Sequence, residues 1–311
     1  MASEVTNSGS SRIVALVNQA QVIIKASLST KSRTTYQLVL QKYDTFLQAL
    51  SPNNNPLPLN QGLVILYLTD LQVQGQATAT ILSALSSLNY FNKLIYNQDI
   101  TNNFLIKKFT SGLTKLSPSQ DNRFPVTPGV LASLFTAIPQ VTNSAYYSYL
   151  FRSMVTLSFF ALLRPGEITQ SENNINLDQI VVNSDHLVIT FVKYKHYQGP
   201  PVSIQIHQQV GQIVCPIKAI KAYLQVRGQA PGPLFCYPTG LPIKYYRYSQ
   251  MFSNSQVPLN LQHKYYPHGC RIGCATHMAS LGISDDIIRR AGRWNSNAVE
   301  KYVRIPTFII H

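Results

Sequence analysis

The chain has 311 residues and carries 26 Lys and Arg against 12 Asp and Glu, a net charge of +14. Charged residues make up only 12% of it, about half the usual share, so the excess comes from missing acids rather than from abundant bases. At 45% hydrophobic the chain is not disordered overall, and no apolar run approaches the roughly 20 residues that a membrane-spanning helix needs.

Residues 1–24 begin polar and Ser-rich and read as an N-terminal tail or a weakly held helix. The first strong helix follows, with Tyr36, Val39, Leu40, Tyr43, Phe46, Leu47 and Leu50 at helical spacing. Ser29 or Thr30 supplies its cap, and Ser51-Pro52 ends it. Three more helices are marked by Leu63, Leu66, Tyr67 and Leu71, by Ile81, Leu85, Leu88 and Phe91, and by Phe104, Leu105, Phe109 and Leu113. Residues 25–116 therefore read as a small helical bundle. Residues 117–124 are polar, contain Pro118 and read as a linker.

A second domain, 125–311, opens on Thr127-Pro128, a helix cap followed by Pro at the first helical position. Leu131, Leu134, Phe135 and Ile138 mark its first helix, and a longer apolar helix runs from about 147 to 163. Leu187, Ile189 and Phe191, then Val202, Ile204 and Ile206, alternate with their neighbours across Gln198-Gly199-Pro200-Pro201 and predict a β-hairpin. Helices resume at 216–226 and at about 268–280, 285–291 and 297–303.

Between Asp185 and Asp285 there is no acid, while Lys193, Lys195, Lys218, Lys221, Arg227, Lys244, Arg247, Lys264 and Arg271 fall in that gap. A basic surface of this kind concentrates phosphates by long-range attraction. The cations are dispersed rather than clustered on one amphipathic helix, which suits an extended groove better than a membrane surface. The N-terminus shows no basic segment followed by an apolar one, so no secretory signal is expected. Four cysteines in so long a chain make no disulfide framework. The expectation is an intracellular, reduced protein, nuclear in a eukaryote and otherwise in the cytoplasm or nucleoid.

Four segments stand apart: Leu162-Leu163-Arg164-Pro165-Gly166-Glu167-Ile168, Val192-Lys193-Tyr194-Lys195, His268-Gly269-Cys270-Arg271, and Ala291-Gly292-Arg293-Trp294 running on to Tyr302. Taken singly, each has an ordinary structural reading. Arg164 can stabilise a helix C-terminus, the lysines can be solvated, and Trp294 and Tyr302 can be core aromatics. Their joint order resembles the tyrosine recombinase (phage integrase) family, over about residues 25–304. The Arg-Pro-Gly-Glu and Gly-Arg-Trp wording is similar to recombinases of eukaryotic mobile elements, the DIRS and Crypton kinds.

The resemblance implies a mainly α fold with a small β-sheet or hairpin in the C-terminal domain. It also implies a two-domain C-shaped DNA clamp, with 25–116 as a core-binding domain and 125–311 as the catalytic domain. It implies a site-specific recombinase or transposase that cuts and rejoins double-stranded DNA through a 3′-phosphotyrosine intermediate, without metal, cofactor or ATP. It acts as a dimer on each site and as a tetramer on synapsed sites, with no membrane partner. Arg164 and Arg271 would then hold the charged phosphate oxygens, because a guanidinium offers a planar fork and keeps its charge. Tyr302 would be the nucleophile and His268 the base. Lys193 would be the general acid, with Lys195 as its competitor two residues on. Trp294 would donate its indole N–H to a phosphate oxygen or pack the site, and Glu167 would cap or orient.

There are departures. Many family members place a His or Trp nine residues before the nucleophile, whereas here Arg293 stands nine before Tyr302 and Trp294 eight before. The short apolar C-terminal tail, Phe308-Ile309-Ile310-His311, is a candidate for donation to a neighbouring protomer. A zinc site from His263, His268, Cys270, Cys274 and His277 has no compact module spacing, and the two cysteines are expected to pack as small apolar residues. Three other readings stay open at the level of sequence. They are a DNA-relaxing type IB topoisomerase, a domesticated DNA-binding protein that no longer cuts, and a basic interaction protein with no DNA role.

Overall fold

The structure, a computed structural model, describes residues 2–52, 54–116, 123–194, 199–294, 299 and 302–304, with side chains from Arg12 onward. The chain divides into two compact units, Met1–Asp121 and Asn122–His311, and the boundary falls inside the segment read as a linker. Residues 117–122 of that segment lie outside the described residues.

The N-terminal unit is helical. α1 (Ala2–Ala26) occupies the segment read as a tail or weakly held helix. Its described side chains are exposed, Ile13, Leu16, Val22 and Ile23 among them, so these add nothing to the unit's core. α2 (Thr30–Leu50) starts where the Ser29 hydroxyl accepts the Ser32 N–H, so Ser29 is the cap. α3 (Gln61–Val73) is capped by Asn60, and α4 (Thr78–Tyr96) and α5 (Phe104–Leu116) complete the set. Their apolar stripes meet in one core of Tyr43, Leu47, Val64, Leu68, Ile81, Leu85, Leu88, Ile106 and Leu113. Asp99 ties the α4–α5 connection by accepting from Asn89, Lys93 and Thr101.

The C-terminal unit is built around α7 (Ala145–Phe160), which is buried along most of its length. α6 (Pro128–Val141) begins as expected, with the Thr127 hydroxyl accepting the Val130 N–H and Pro128 in the first turn. α6, α9 (Pro216–Arg227) and α11 (His268–Ser280) all pack on α7. The hairpin strands are β2 (His186–Phe191) and β3 (Val202–His207), paired antiparallel with Leu187 opposite Ile206, Ile189 opposite Ile204 and Phe191 opposite Val202. A third strand, β1 (Ile180–Val182), extends the sheet in the order β1-β2-β3. Leu187, Ile189 and Phe191 turn inward, as the alternation predicted. α10 (Tyr245–Asn254) is a helix that the periodicity did not announce. α8 (Pro165–Ile168) and α12 (Asp285–Gly292) complete the unit. The helix expected over about 297–303 lies largely outside the described residues. Among the described residues no single helix is long and apolar enough to cross a membrane.

Two glycines on α11 let the chain entering this unit lie directly against the helix. A β-carbon at Gly273 would collide with the Val126 backbone carbonyl, and one at Gly269 would sit 2.6 Å from the Phe124 carbonyl oxygen. The Val126 N–H donates to the Gly269 carbonyl at 3.0 Å, so the approach is hydrogen-bonded as well as close. Because the obstacle is backbone, it cannot rotate away. Gly273→Ala is expected to lower the unfolding free energy by roughly 2–3 kcal/mol, read as an earlier urea midpoint. An unchanged midpoint would show that the segment is free to move off the helix.

Candidate active site

α7 ends at Phe160 and the chain reverses through Ala161-Leu162-Leu163 to present Arg164 at the start of α8. Leu162 makes that reversal with φ of 45°, a left-handed conformation that a γ-branched residue seldom adopts. Glu167, one turn on from Arg164, reaches back: its carboxylate accepts the Arg164 N–H at 2.8 Å and Arg164 Nη1 at 3.1 Å. This is a capping arrangement in which Pro165 occupies the first helical turn, where its missing N–H costs nothing.

The second part of the site comes from the end of α12. Arg293 terminates the helix with φ of 55°. Its side chain goes inward, donating from Nη2 to Glu167 Oε2 at 2.8 Å, with the two side chains 1% and 2% exposed. It also donates to the carbonyls of Ala161, Ala291 and Leu162, and its guanidinium carbon lies 3.8 Å from the Phe191 ring centroid. Its own carbonyl accepts Arg164 Nη2 at 3.1 Å.

The third part comes from α11. Arg271 is fully buried and donates to the carbonyls of Leu162 and Gly292. Its guanidinium carbon lies 4.2 Å from the Trp294 ring and 5.6 Å from the Tyr302 ring. Trp294 and Tyr302 are in contact, with centroids 4.7 Å apart, and His268 lies 5.5 Å from Tyr302. Gly292 is the seat of the indole, since any β-carbon there would overlap the Trp294 ring. Thr276 of α11 donates to the Tyr302 carbonyl and accepts the Arg304 N–H, which pins the backbone at Tyr302. The buried Trp294 Nε1 and Arg271 Nε have no hydrogen-bond partner among the described residues.

The structure thus brings Arg164, His268, Arg271, Trp294 and Tyr302 together. Lys193 lies two residues past the end of β2 with an exposed side chain, and among the described residues no hydrogen bond, ion pair or ring contact joins it to Tyr302. Its competitor Lys195 lies outside the described residues, as do residues 305–311 of the C-terminal tail. Of the two residues near the expected spacing, Trp294 faces Tyr302 while Arg293 faces Glu167. Cys270 and Cys274 are buried in the core, where loss of solvent pushes both thiols up in pKa.

The electrostatics are lopsided. Among the described residues three guanidiniums, Arg164, Arg271 and Arg293, act on one carboxylate, Glu167, which leaves two of their positive charges unmatched there. Burial pushes the Glu167 pKa up, but Arg293, Arg164 and Arg271 outweigh it and hold it below its ordinary value. Burial draws the Arg271 pKa down, Arg164 and Arg293 add to that, and Glu167 and Tyr302 oppose it. An anion brought to this side of the unit would meet positive charge that no carboxylate among the described residues cancels.

The fold is that of the tyrosine recombinase class. The family model described as the phage integrase family matches residues 127–306, and the chain belongs to that family. The match does not distinguish the mobile-element kinds within it. Similar solved structures include a lambda integrase dimer bound to a COC′ core site, with a TM-score of 0.61 and 15% identity over 92% of this chain and 75% of that one. A Tn1549 transposon integrase in complex with circular intermediate DNA has a TM-score of 0.60 and 13% identity, covering 93% of this chain and 94% of that one. The XerH recombinase bound to a palindromic difH substrate has a TM-score of 0.61 and 15% identity, covering 83% and 72%. At these identities the likeness is one of fold. No curated protein matches the sequence.

The depressed Glu167 pKa fixes the sign of a pH effect. A carboxylate that is more acidic folded than unfolded contributes stability above its unfolded pKa, and that contribution is lost as pH falls through the lower folded value. Glu167→Gln is expected to cost about 3 kcal/mol at neutral pH, because it leaves buried guanidiniums uncompensated. The gap between wild type and variant, measured by urea denaturation, should shrink as pH falls from the ordinary carboxylate range, near pH 4.5, toward the folded pKa. A gap independent of pH would mean that Glu167 has the same pKa folded and unfolded, and a gap that widens as pH falls would mean that burial keeps it neutral.

Proposed function

We propose that the protein is a site-specific DNA recombinase that cuts and rejoins duplex DNA through a phosphotyrosine bond. The observation that carries this reading is Tyr302 held against Arg271, Trp294 and His268 beside the cluster of Arg164, Arg271 and Arg293. A phosphodiester resists attack because its two non-bridging oxygens are negative. Arg164 and Arg271 offset that charge and stabilise what builds up as the phosphorus becomes five-coordinate. Trp294 Nε1, buried and without a partner among the described residues, is a donor for one of those oxygens.

In the forward step the Tyr302 phenol oxygen forms a bond to phosphorus, its proton passes to His268, and the bond from phosphorus to the 5′ oxygen breaks. The departing oxygen takes a proton from a lysine of the β2–β3 connection. Lys193 is the assigned donor, on an exposed side chain that DNA would approach. The ester energy stays in the 3′-phosphotyrosine bond, so a 5′ hydroxyl from the same or another duplex rejoins it without ATP. Structures of related fold are described as a dimer on a core site and as a tetramer on a Holliday junction. That supports double-stranded DNA as the partner here, with a dimer on each site and a tetramer on synapsed sites.

The test uses the full chain and a duplex that it selects from a random-sequence pool, nicked close to the cleavage point so that the released fragment diffuses away. Wild type is expected to form a protein–DNA adduct that survives denaturation, and Tyr302→Phe to form none. An adduct with Tyr302→Phe would overturn the assignment of the nucleophile. Relaxation of supercoiled plasmid without site preference would favour a topoisomerase instead.

A further inference from the structure

The chemistry above uses Arg164 and Arg271 and leaves Arg293, which is more deeply buried than Arg164, without a part. Resting on the reading of Tyr302 as a DNA nucleophile, we propose that Arg293 is a positioning residue. It fixes the Arg164 guanidinium, and the end of β2, around the scissile phosphate.

Arg164 is held by Arg293 in two ways. One Arg164 nitrogen donates to the Arg293 carbonyl at 3.1 Å. Its other contact, the Glu167 carboxylate, is shared with Arg293 Nη2 at 2.8 Å. Arg164 therefore cannot swing without breaking one bond to Arg293 and one to the carboxylate that Arg293 also holds. The Arg293 guanidinium carbon lies 3.8 Å from the ring centroid of Phe191, the last residue of β2, two residues before Lys193. One side chain thus links the two segments that carry the phosphate-binding arginine and the assigned acid.

Neutralising Glu167 does not explain Arg293, because Arg164 already supplies one cation. A second guanidinium in the same buried space adds desolvation and like-charge repulsion, both of which lower its pKa. It is also held in place by a left-handed backbone at a residue other than glycine, a conformation that L side chains rarely adopt. More donors than the three of a lysine are needed for these contacts, since Arg293 serves four acceptors at once, Glu167 and the carbonyls of Ala161, Leu162 and Ala291.

The test separates a displaced Arg164 from a damaged fold. Nicked duplexes selected by the full chain are prepared in two forms, one with a normal scissile phosphate and one with a methylphosphonate, in which a methyl group replaces a charged oxygen. The neutral form needs no guanidinium to offset charge, so loss of Arg164 function is forgiven on it. Arg293→Met is expected to slow strand cleavage roughly 100-fold on the phosphate form, as misplacement of a catalytic group by about 1 Å does, with DNA affinity unchanged. On the methylphosphonate form it is expected to recover to near the wild-type rate, as is Arg164→Ala. Arg293→Lys, which keeps a cation beside Glu167, is expected to fold even where Met does not, and to show a smaller loss with the same recovery. A wild-type rate for both variants on the phosphate form, or a loss that methylphosphonate does not repair, would overturn the positioning role. Failure of the wild-type chain to cleave the phosphate form would instead overturn the recombinase reading beneath it.

Discussion

The Glu167 carboxylate sits in the interior of the C-terminal unit, where an unpaired charge is unfavourable by several kcal/mol. It is tolerated because Arg164 reaches it from one side and Arg293 from the other, across 126 residues of chain. Those two contacts dictate the local structure. The end of α7 must turn back so that α8 can present Glu167 inward, and α12 must stop where Arg293 can enter the same space. The Leu162 carbonyl, exposed by that reversal, accepts from both Arg271 and Arg293. The ion pair, the two helix ends and α11 therefore form one unit, and Tyr302 is laid against its outer edge.

The shortage of acids sets the character of that unit. Where a buried guanidinium meets a carboxylate, the charge is cancelled. Where it meets backbone carbonyls, its donors are satisfied and the charge remains. Arg271 belongs to the second kind, with the carbonyls of Leu162 and Gly292. So does Arg227, which donates to the carbonyls of Gly228, Ala230, Pro233 and Leu234. Arg227 also qualifies the reading of the acid-free stretch as a ligand-facing surface, since its guanidinium is committed to holding the loop after α9. Among the described residues the positive balance near Tyr302 is local, and it follows from one carboxylate serving three arginines.

Much of this was legible in the sequence because the signals are local. The Thr127-Pro128 start of α6, the alternation of Leu187, Ile189 and Phe191, and the apolar run of α7 each depend on neighbours a few residues away. What stayed hidden depends on distant partners or weak patterns. β1 is three residues long and has no period to count. α10 is rich in tyrosine and polar residues, and buries only Tyr248, Met251 and Phe252. α1 has apolar residues, yet they stay exposed, so its pattern carried no information about a core. The Glu167–Arg293 pair could not be read at all, because a charged residue is assigned to the surface by default and nothing near position 293 names its partner.

The spacing before Tyr302 shows how backbone conformation overrides counting. In a regular helix adjacent side chains point about 100° apart and progress steadily around the axis. At Arg293 the backbone enters the left-handed region, so the progression breaks. Arg293 turns toward Glu167, and Trp294 turns the other way, over Gly292 and onto Tyr302. A residue's distance in sequence from the nucleophile therefore does not decide which side chain meets it. The helix cap decides, and it does so only because Gly292 leaves room for the indole and Glu167 gives the arginine somewhere to go.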